Sequence, residues 1–209
     1  MKTDREKTIL LTKLGYLQLK NMGCFEVSTE VNVPTYYKFP PTIFEKDPVI
    51  VNHRHHIIDL IGIEYEYLPI SKQYKKELWS DVLQKKIIKK IIKKPILRGI
   101  EIKVSKSDFK SGFIHVGCHY NYLMVPKGLI QPKEVHKYIG IIEVDLDNYC
   151  VKKFDFGYEL IGVKIIRNPK RQPVSNLAIE RCRDQISTSL TNQTKRWLIQ
   201  DLLRPIKGR

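Results

Sequence analysis

Several short apolar or alternating runs, a number of them bounded by Gly or Pro, constrain this chain more than any other feature. Residues 24–33 alternate apolar and polar (Cys24-Phe25-Glu26-Val27-Ser28-Thr29-Glu30-Val31-Asn32-Val33), as a half-buried strand does. Further strands are expected at His56–Ile63, Gly99–Val104, Tyr120–Val125 (closed by Pro126), Tyr138–Val144 and 158–166. Residues 5–22 read as a helix with Leu10, Leu14 and Leu17 on one stripe and Gly23 as its stop. Residues 174–203 read as a basic helix or helix pair containing Leu177, Ile186, Leu190, Trp197 and Leu198. A short helical or turn segment fits 106–117, and Pro34, Pro40, Pro41 and Pro48 make 34–55 irregular. The order helix, three strands, helix, strand implies an α/β sandwich around a mixed sheet.

Helical periodicity is clearest over 71–94, where apolar pairs (Leu78/Trp79, Val82/Leu83, Ile87/Ile88, Ile91/Ile92) alternate with lysine pairs (Lys75/Lys76, Lys85/Lys86, Lys89/Lys90, Lys93/Lys94). Pro95 ends it. Here composition matters. The 209 residues carry a net charge of +15, and segment 71–94 supplies nine Lys against two acids. Residues 164–209 supply eleven Lys/Arg against three acids, which leaves the remainder neutral. A nearly neutral body with two basic elements attracts polyanions, because neutralising phosphates releases condensed counterions. The competing explanation is a solvated, solubilising charge run.

Other classes recede. No apolar run approaches the roughly 18 residues of a membrane span, and no signal-peptide pattern follows Met1. Cys24, Cys118, Cys150 and Cys182 lie far apart without a CxxC pair, against a zinc cluster or a disulfide framework. Four reduced thiols in a cytoplasmic, nucleoid-associated protein, with no membrane partner, are expected.

The candidate chemistry lies at Asp59, Glu101 and Lys103. A strand's two-residue period places Glu101 and Lys103 side by side on one face. Asp59 sits on another expected strand, also among apolar residues. Burying such groups is costly unless they pair or bind a metal. Two carboxylates from adjacent strands, with a backbone carbonyl such as that of Ile102, form an oxygen site suited to Mg²⁺, or Mn²⁺ in its place. An ordinary Glu–Lys pair on an exposed strand is the plain alternative.

The run Glu101-Ile102-Lys103-Val104-Ser105-Lys106-Ser107-Asp108-Phe109 resembles the EIKxSxxDF signature of the MmcB-like DNA-repair proteins, within the PD-(D/E)XK nuclease superfamily. Upstream, Arg54-His55-His56-Ile57-Ile58-Asp59-Leu60 resembles the strand that brings the family's metal-binding Asp. Downstream, Cys118 to Gly128 resembles the strand ending in Val-Pro-x-Gly, and Gly140 to Asp145 the Gly-led strand after it. The likeness covers about residues 53–147. It implies a restriction-endonuclease-like core in which Asp59 and Glu101 hold the metal and Lys103 is the catalytic lysine. Two departures stand out: Asp59 and Glu101 are 42 residues apart, with the basic helix 71–94 inserted between them, and the segment after Phe109 is short and contains Ser111-Gly112.

The expectation is therefore a Mg²⁺-dependent DNA nuclease, of repair or restriction type. Residues 1–166 would form the core, with 71–94 as an insertion and 167–209 as a basic helical extension. DNA contacts are expected from Lys85, Lys86, Lys89, Lys90, Ser105, Lys106, Arg181, Arg183, Lys195 and Arg196. The Ile-rich face of 71–94 suits packing on the domain or on a second subunit, so a homodimer is a partner to consider. Glu30, and less so Glu6, are candidates for an additional carboxylate. His53, His55 and His56 suit surface or phosphate contacts better than metal ligation, and His115/Cys118/His119 is a weak zinc pattern. Tyr36, Tyr37, Tyr65, Tyr67 and Tyr74 are core or rim residues that could stack on bases. A non-catalytic nucleic-acid-binding module on a nuclease-like scaffold is the rival, and a membrane-surface or partner-binding protein a weaker third.

Overall fold

The computed structural model describes residues 2–35, 54–66, 94–112, 117–155 and 157–189. The first helix, α1 (Asp4–Asn21), starts where Thr3 and Glu6 cap each other: Thr3 N–H donates to Glu6 Oε2 at 2.7 Å and Glu6 N–H to Thr3 Oγ1 at 3.3 Å. Its apolar stripe, Leu10, Leu11, Leu14 and Leu17, is buried, and Gly23 follows the end at φ 87°. The helix lies close on the sheet, since a methyl at Gly15 would sit 2.6 Å from Leu60 Cδ1.

Strands β1 (Glu26–Thr35), β2 (Arg54–Glu66), β3 (Lys94–Ile102), β4 (Tyr120–Pro126), β5 (Gly140–Val144) and β8 (Val163–Arg167) form one sheet in the order β1-β2-β3-β4-β5-β8. Strands β1, β2 and β3 run antiparallel, β4 and β5 continue parallel to β3, and β8 closes antiparallel. The architecture is thus mixed α/β, as the element order implies. A separate hairpin, β6 (Cys150–Phe154) and β7 (Gly157–Ile161), is pinned to α1 by Asn21, whose amide exchanges two hydrogen bonds with the Tyr158 backbone at 2.6 and 3.0 Å. A short helix, α2 (Lys106–Lys110), follows β3, and α3 (Asn176–Ser189) follows β8. No helix among the described residues is long and apolar enough to cross a membrane.

The sheet divides the apolar residues by face. Leu60, Ile100, Ile102 and Met124 pack under α1. On the other face Ile61, Ile63 and Leu97 pack with Cys182 and Ile186 of α3. Beside them Leu123 and Ile141 pack with Ile130, Val135 and Ile139 of the segment between β4 and β5. Alternation along β3 puts Glu101 and Lys103 on the face of Leu97, and Glu101 pairs in register with Leu123. The two charged residues therefore occupy the seam between these two apolar clusters.

Several boundaries differ from the sequence expectation. The expected strand at 158–166 is two strands, broken at Gly162 (φ 79°), and β6 was not anticipated. The strand expected from Tyr138 begins at Gly140, because Ile139 N–H turns back to His136 O while Arg167 takes the carbonyls of Pro132, Val135, His136 and Ile139. Pro34 lies inside β1, opposite His55, rather than ending it. Strand β3 starts at Lys94, which the sequence places in the preceding helix. It ends at Ile102, because Val104 N–H is taken by the Asp108 side chain. The rest of segment 71–94, residues 36–53 of the stretch 34–55 expected to be irregular, and the chain beyond 189 lie outside the described residues.

Candidate active site

Residues Glu66 and Lys94 face each other in the β2–β3 ladder, so the chain leaves and re-enters it at one point despite the long separation of Asp59 and Glu101. At the other end of that ladder Leu60 pairs with Ile100. The next residue on each strand is a site residue, Asp59 on β2 and Glu101 on β3, so antiparallel register brings the two carboxylates alongside one another. Asp59 Oδ2 accepts the Ile102 N–H at 2.7 Å, which ties the end of β3 to the β2 side chain.

Glu101 is 8% exposed and Lys103 9%. Lys103 Nζ lies 3.7 Å from Glu101 Oε1 and 3.2 Å from Asp108 Oδ1. Glu101 Oε2 is buried without a hydrogen-bond partner, alone in this among the described residues. Burial and then the charge of Asp59 push the Glu101 carboxyl from its ordinary 4.5 up to about 7, against the pull of the Lys103 ammonium and the Asp59 backbone. Burial also raises Asp59, opposed by the Ile102 N–H and by Lys103. Two acids are thus held together where neither ionises easily alone.

The β1–β2 register continues past Thr29–Leu60 and resumes at Val31–Ile58, with the Glu30–Asp59 position skipped. There Glu30 adopts a left-handed backbone (φ 53°), uncommon for a side-chain-bearing residue. Glu30 is exposed, and its charge adds to the raising of Asp59. Glu6, by contrast, serves the α1 cap.

The DNA-contact candidates are divided. Ser105 caps α2, its Oγ accepting the Asp108 N–H at 3.3 Å. Lys106, read from sequence as a phosphate contact, is paired with both carboxylate oxygens of Glu134, at 3.0 and 3.1 Å. Arg183 lines a recess of about 260 Å³ with Glu26, Tyr65, Glu180, Asp184 and Ser187, so its surroundings are of mixed charge; Arg181 is half-buried on the same helix. Lys85, Lys86, Lys89, Lys90, Lys195 and Arg196 lie outside the described residues, as do His53, His115, Tyr36, Tyr37, Tyr67 and Tyr74. The zinc pattern loses His119 to structure, since its Nδ1 accepts the Leu97 N–H at 3.0 Å, and Cys118 is buried in the α3 cluster. Tyr65 is half-buried against Phe25, ring centroids 6.2 Å apart.

Among the described residues no three His, Cys, Asp or Glu side chains converge as a metal-holding group. The Asp59–Glu101 pair nevertheless fits Mg²⁺. That ion commonly takes one or two carboxylates and keeps several waters, and the unpartnered Glu101 Oε2 offers a hard oxygen next to a second acid. Asp108 is the site residue the sequence left without a role. Its signal was the Ser-x-x-Asp spacing of a helix start, Ser105 to Asp108, which marks a turn folding back on the end of β3.

The chain matches no family profile and no curated protein. Among solved structures it is similar to the SPO1766 protein of unknown function from Silicibacter pomeroyi, at 14% identity and a TM-score of 0.42, over 95% of this chain and 92% of that one.

Proposed function

We propose that the protein is a Mg²⁺-dependent DNA nuclease that hydrolyses phosphodiester bonds at Asp59, Glu101 and Lys103, with Mn²⁺ able to substitute. The observation that carries this is Glu101, buried against Asp59 with one oxygen unbonded. Such a carboxylate is costly unless a cation completes it. The likeness to MmcB-like proteins supports the same assignment. So does the element order α1-β1-β2-β3-α2-β4, with β4 parallel to β3, which suits a restriction-endonuclease-like core.

Asp59 and Glu101 would hold the ion, with the Ile102 carbonyl as a further oxygen. A bound divalent ion polarises the scissile phosphate and stabilises the leaving oxygen. Asp59 is oriented for its part by the Ile102 N–H, which keeps the ends of β2 and β3 in fixed relation. Lys103 presents an ammonium at the same seam, where it orients a phosphate oxygen or the attacking water. The lysines of 71–94 and the arginines of 164–209 would grip the backbone on either side, contacts that position DNA without reading its sequence. A nucleoid-associated location and a homodimer that cuts both strands are part of the same proposal.

The test is a cleavage screen over linear, nicked, branched and single-stranded DNA with Mg²⁺ and with Mn²⁺. Wild type should cut at least one form. Asp59→Asn, Glu101→Gln and Lys103→Ala should each lower the rate about a hundredfold or more while DNA binding persists. Salt-sensitive binding with no cutting of any form would contradict the proposal and favour the non-catalytic module.

A further inference from the structure

The turn after β3 brings a third carboxylate to Lys103, and it does more there than start a helix. Asp108 Oδ1 accepts from Lys103 Nζ at 3.2 Å, while Oδ2 accepts the Val104 N–H at 3.1 Å. Asp108 is itself fixed by its N–H, which donates to Ser105 Oγ, the cap of α2; that oxygen lies 3.0 Å from Ser107 Oγ. The carboxylate is thus held from the backbone on one side and offers its free oxygen to the lysine on the other.

We propose that Asp108 is the positioning residue for Lys103: it fixes the ammonium from the turn after β3, holding it more closely than the ion pair with Glu101 does. What the ammonium then does rests on the nuclease reading above. The distances carry the argument. Lys103 Nζ hydrogen-bonds Asp108 at 3.2 Å and keeps only a longer ion pair with Glu101, at 3.7 Å. A lysine has a flexible four-carbon stem whose freedom must be lost before it acts from one place. If its one acidic neighbour were a metal-holding residue, the ammonium would compete with the cation for that carboxylate. Asp108 gives it a second and nearer partner outside the metal-holding pair. An acid that merely started α2 would account for the Val104 bond but not for the contact with Nζ.

Asp108→Asn separates these roles, because its amide oxygen can still accept the Val104 N–H while the charge is gone. The full chain is treated with an amine-acylating reagent, and Lys103 and Lys106 are followed by peptide mass spectrometry. Lys106 sits in the same turn but pairs with Glu134, so it reports whether the turn has simply opened. Lys103 should react about tenfold faster in Asp108→Asn and Asp108→Ala, Lys106 at the wild-type rate, and Asp108→Glu should restore part of the protection. In cleavage assays kcat should fall about 10–100-fold in Asp108→Asn with KM for DNA little changed. Unchanged Lys103 reactivity, or Lys103 and Lys106 accelerating together, overturns the inference. A wild-type protein that cuts no DNA, while Lys103 alone gains reactivity in Asp108→Asn, would sink the nuclease reading and leave the hold of Asp108 on Lys103 standing. An active wild type with kcat untouched in Asp108→Asn would do the reverse.

Discussion

Burial and the neighbouring Asp59 make the Glu101 carboxyl hold its proton well above the ordinary carboxylate range. Its protonation midpoint near 7, against an ordinary 4.5, means that the folded chain binds this proton more tightly than the unfolded chain does. The stability from that proton is complete below about pH 4.5 and is lost as pH rises through about 7. Metal-free protein should therefore lose stability across that window, read as a falling urea midpoint, and Glu101→Gln should flatten the fall. A Glu101→Gln profile that slopes like wild type would count against the buried-acid assignment. Glu101 and Lys103 were legible in the sequence because a two-residue period puts both on one face of a strand. Asp108 was not. Its contact with Lys103 depends on the chain reversing at Ser105, which no periodicity along the strand records.

Elements show the same division. The α1 stripe and its Gly23 stop follow directly from helical spacing, and the apolar run of β4 from its position before Pro126. The break between β7 and β8 does not, since Leu160, Ile161, Val163 and Ile165 keep apolar residues on both sides of Gly162. What breaks the run is backbone geometry. Gly162 is at φ 79°, and a methyl there would sit 2.6 Å from the Asn148 carbonyl oxygen. Gly162→Ala should cost about 2 kcal/mol or more, from the left-handed conformation and the backbone clash together, measurable as a lowered urea midpoint. A neutral Gly162→Ala would contradict the turn as described. The skipped pair at Glu30–Asp59 was equally hidden, because the register is the same on either side of it.

Along the whole chain, the excess of positive charge is confined to two segments. The basic excess lies in 71–94 and 164–209; the neutral remainder supplies most of the sheet and the acidic seam, while 164–209 supplies nearly all of β8 and the helix α3 that packs on the sheet. If those segments meet phosphates, log K for DNA should fall linearly with log salt, with a slope of about −0.9 for each phosphate neutralised on duplex. Lys-to-Ala changes at 85, 86, 89 and 90 should each lessen the slope, whereas Lys103→Ala should leave it nearly unchanged. A slope indifferent to those lysines would move the grip elsewhere. The mixed α/β class and the strands that carry the site were legible because each is a short apolar run with a distinct boundary. The adjacency of Asp59 and Glu101 across so long an insertion was expected from the resemblance and not from spacing, and the β2–β3 ladder from Glu66–Lys94 to Leu60–Ile100 gives its physical basis.

The central claim is that Asp59 and Glu101 take up a single divalent ion between them. Titrating Mn²⁺ into DNA-bound Lys103→Ala protein, followed by electron paramagnetic resonance, tests it without turnover. The account predicts one tight ion per chain, lost when either Asp59→Asn or Glu101→Gln is added. Uptake that is absent, or undiminished by both changes, would contradict it.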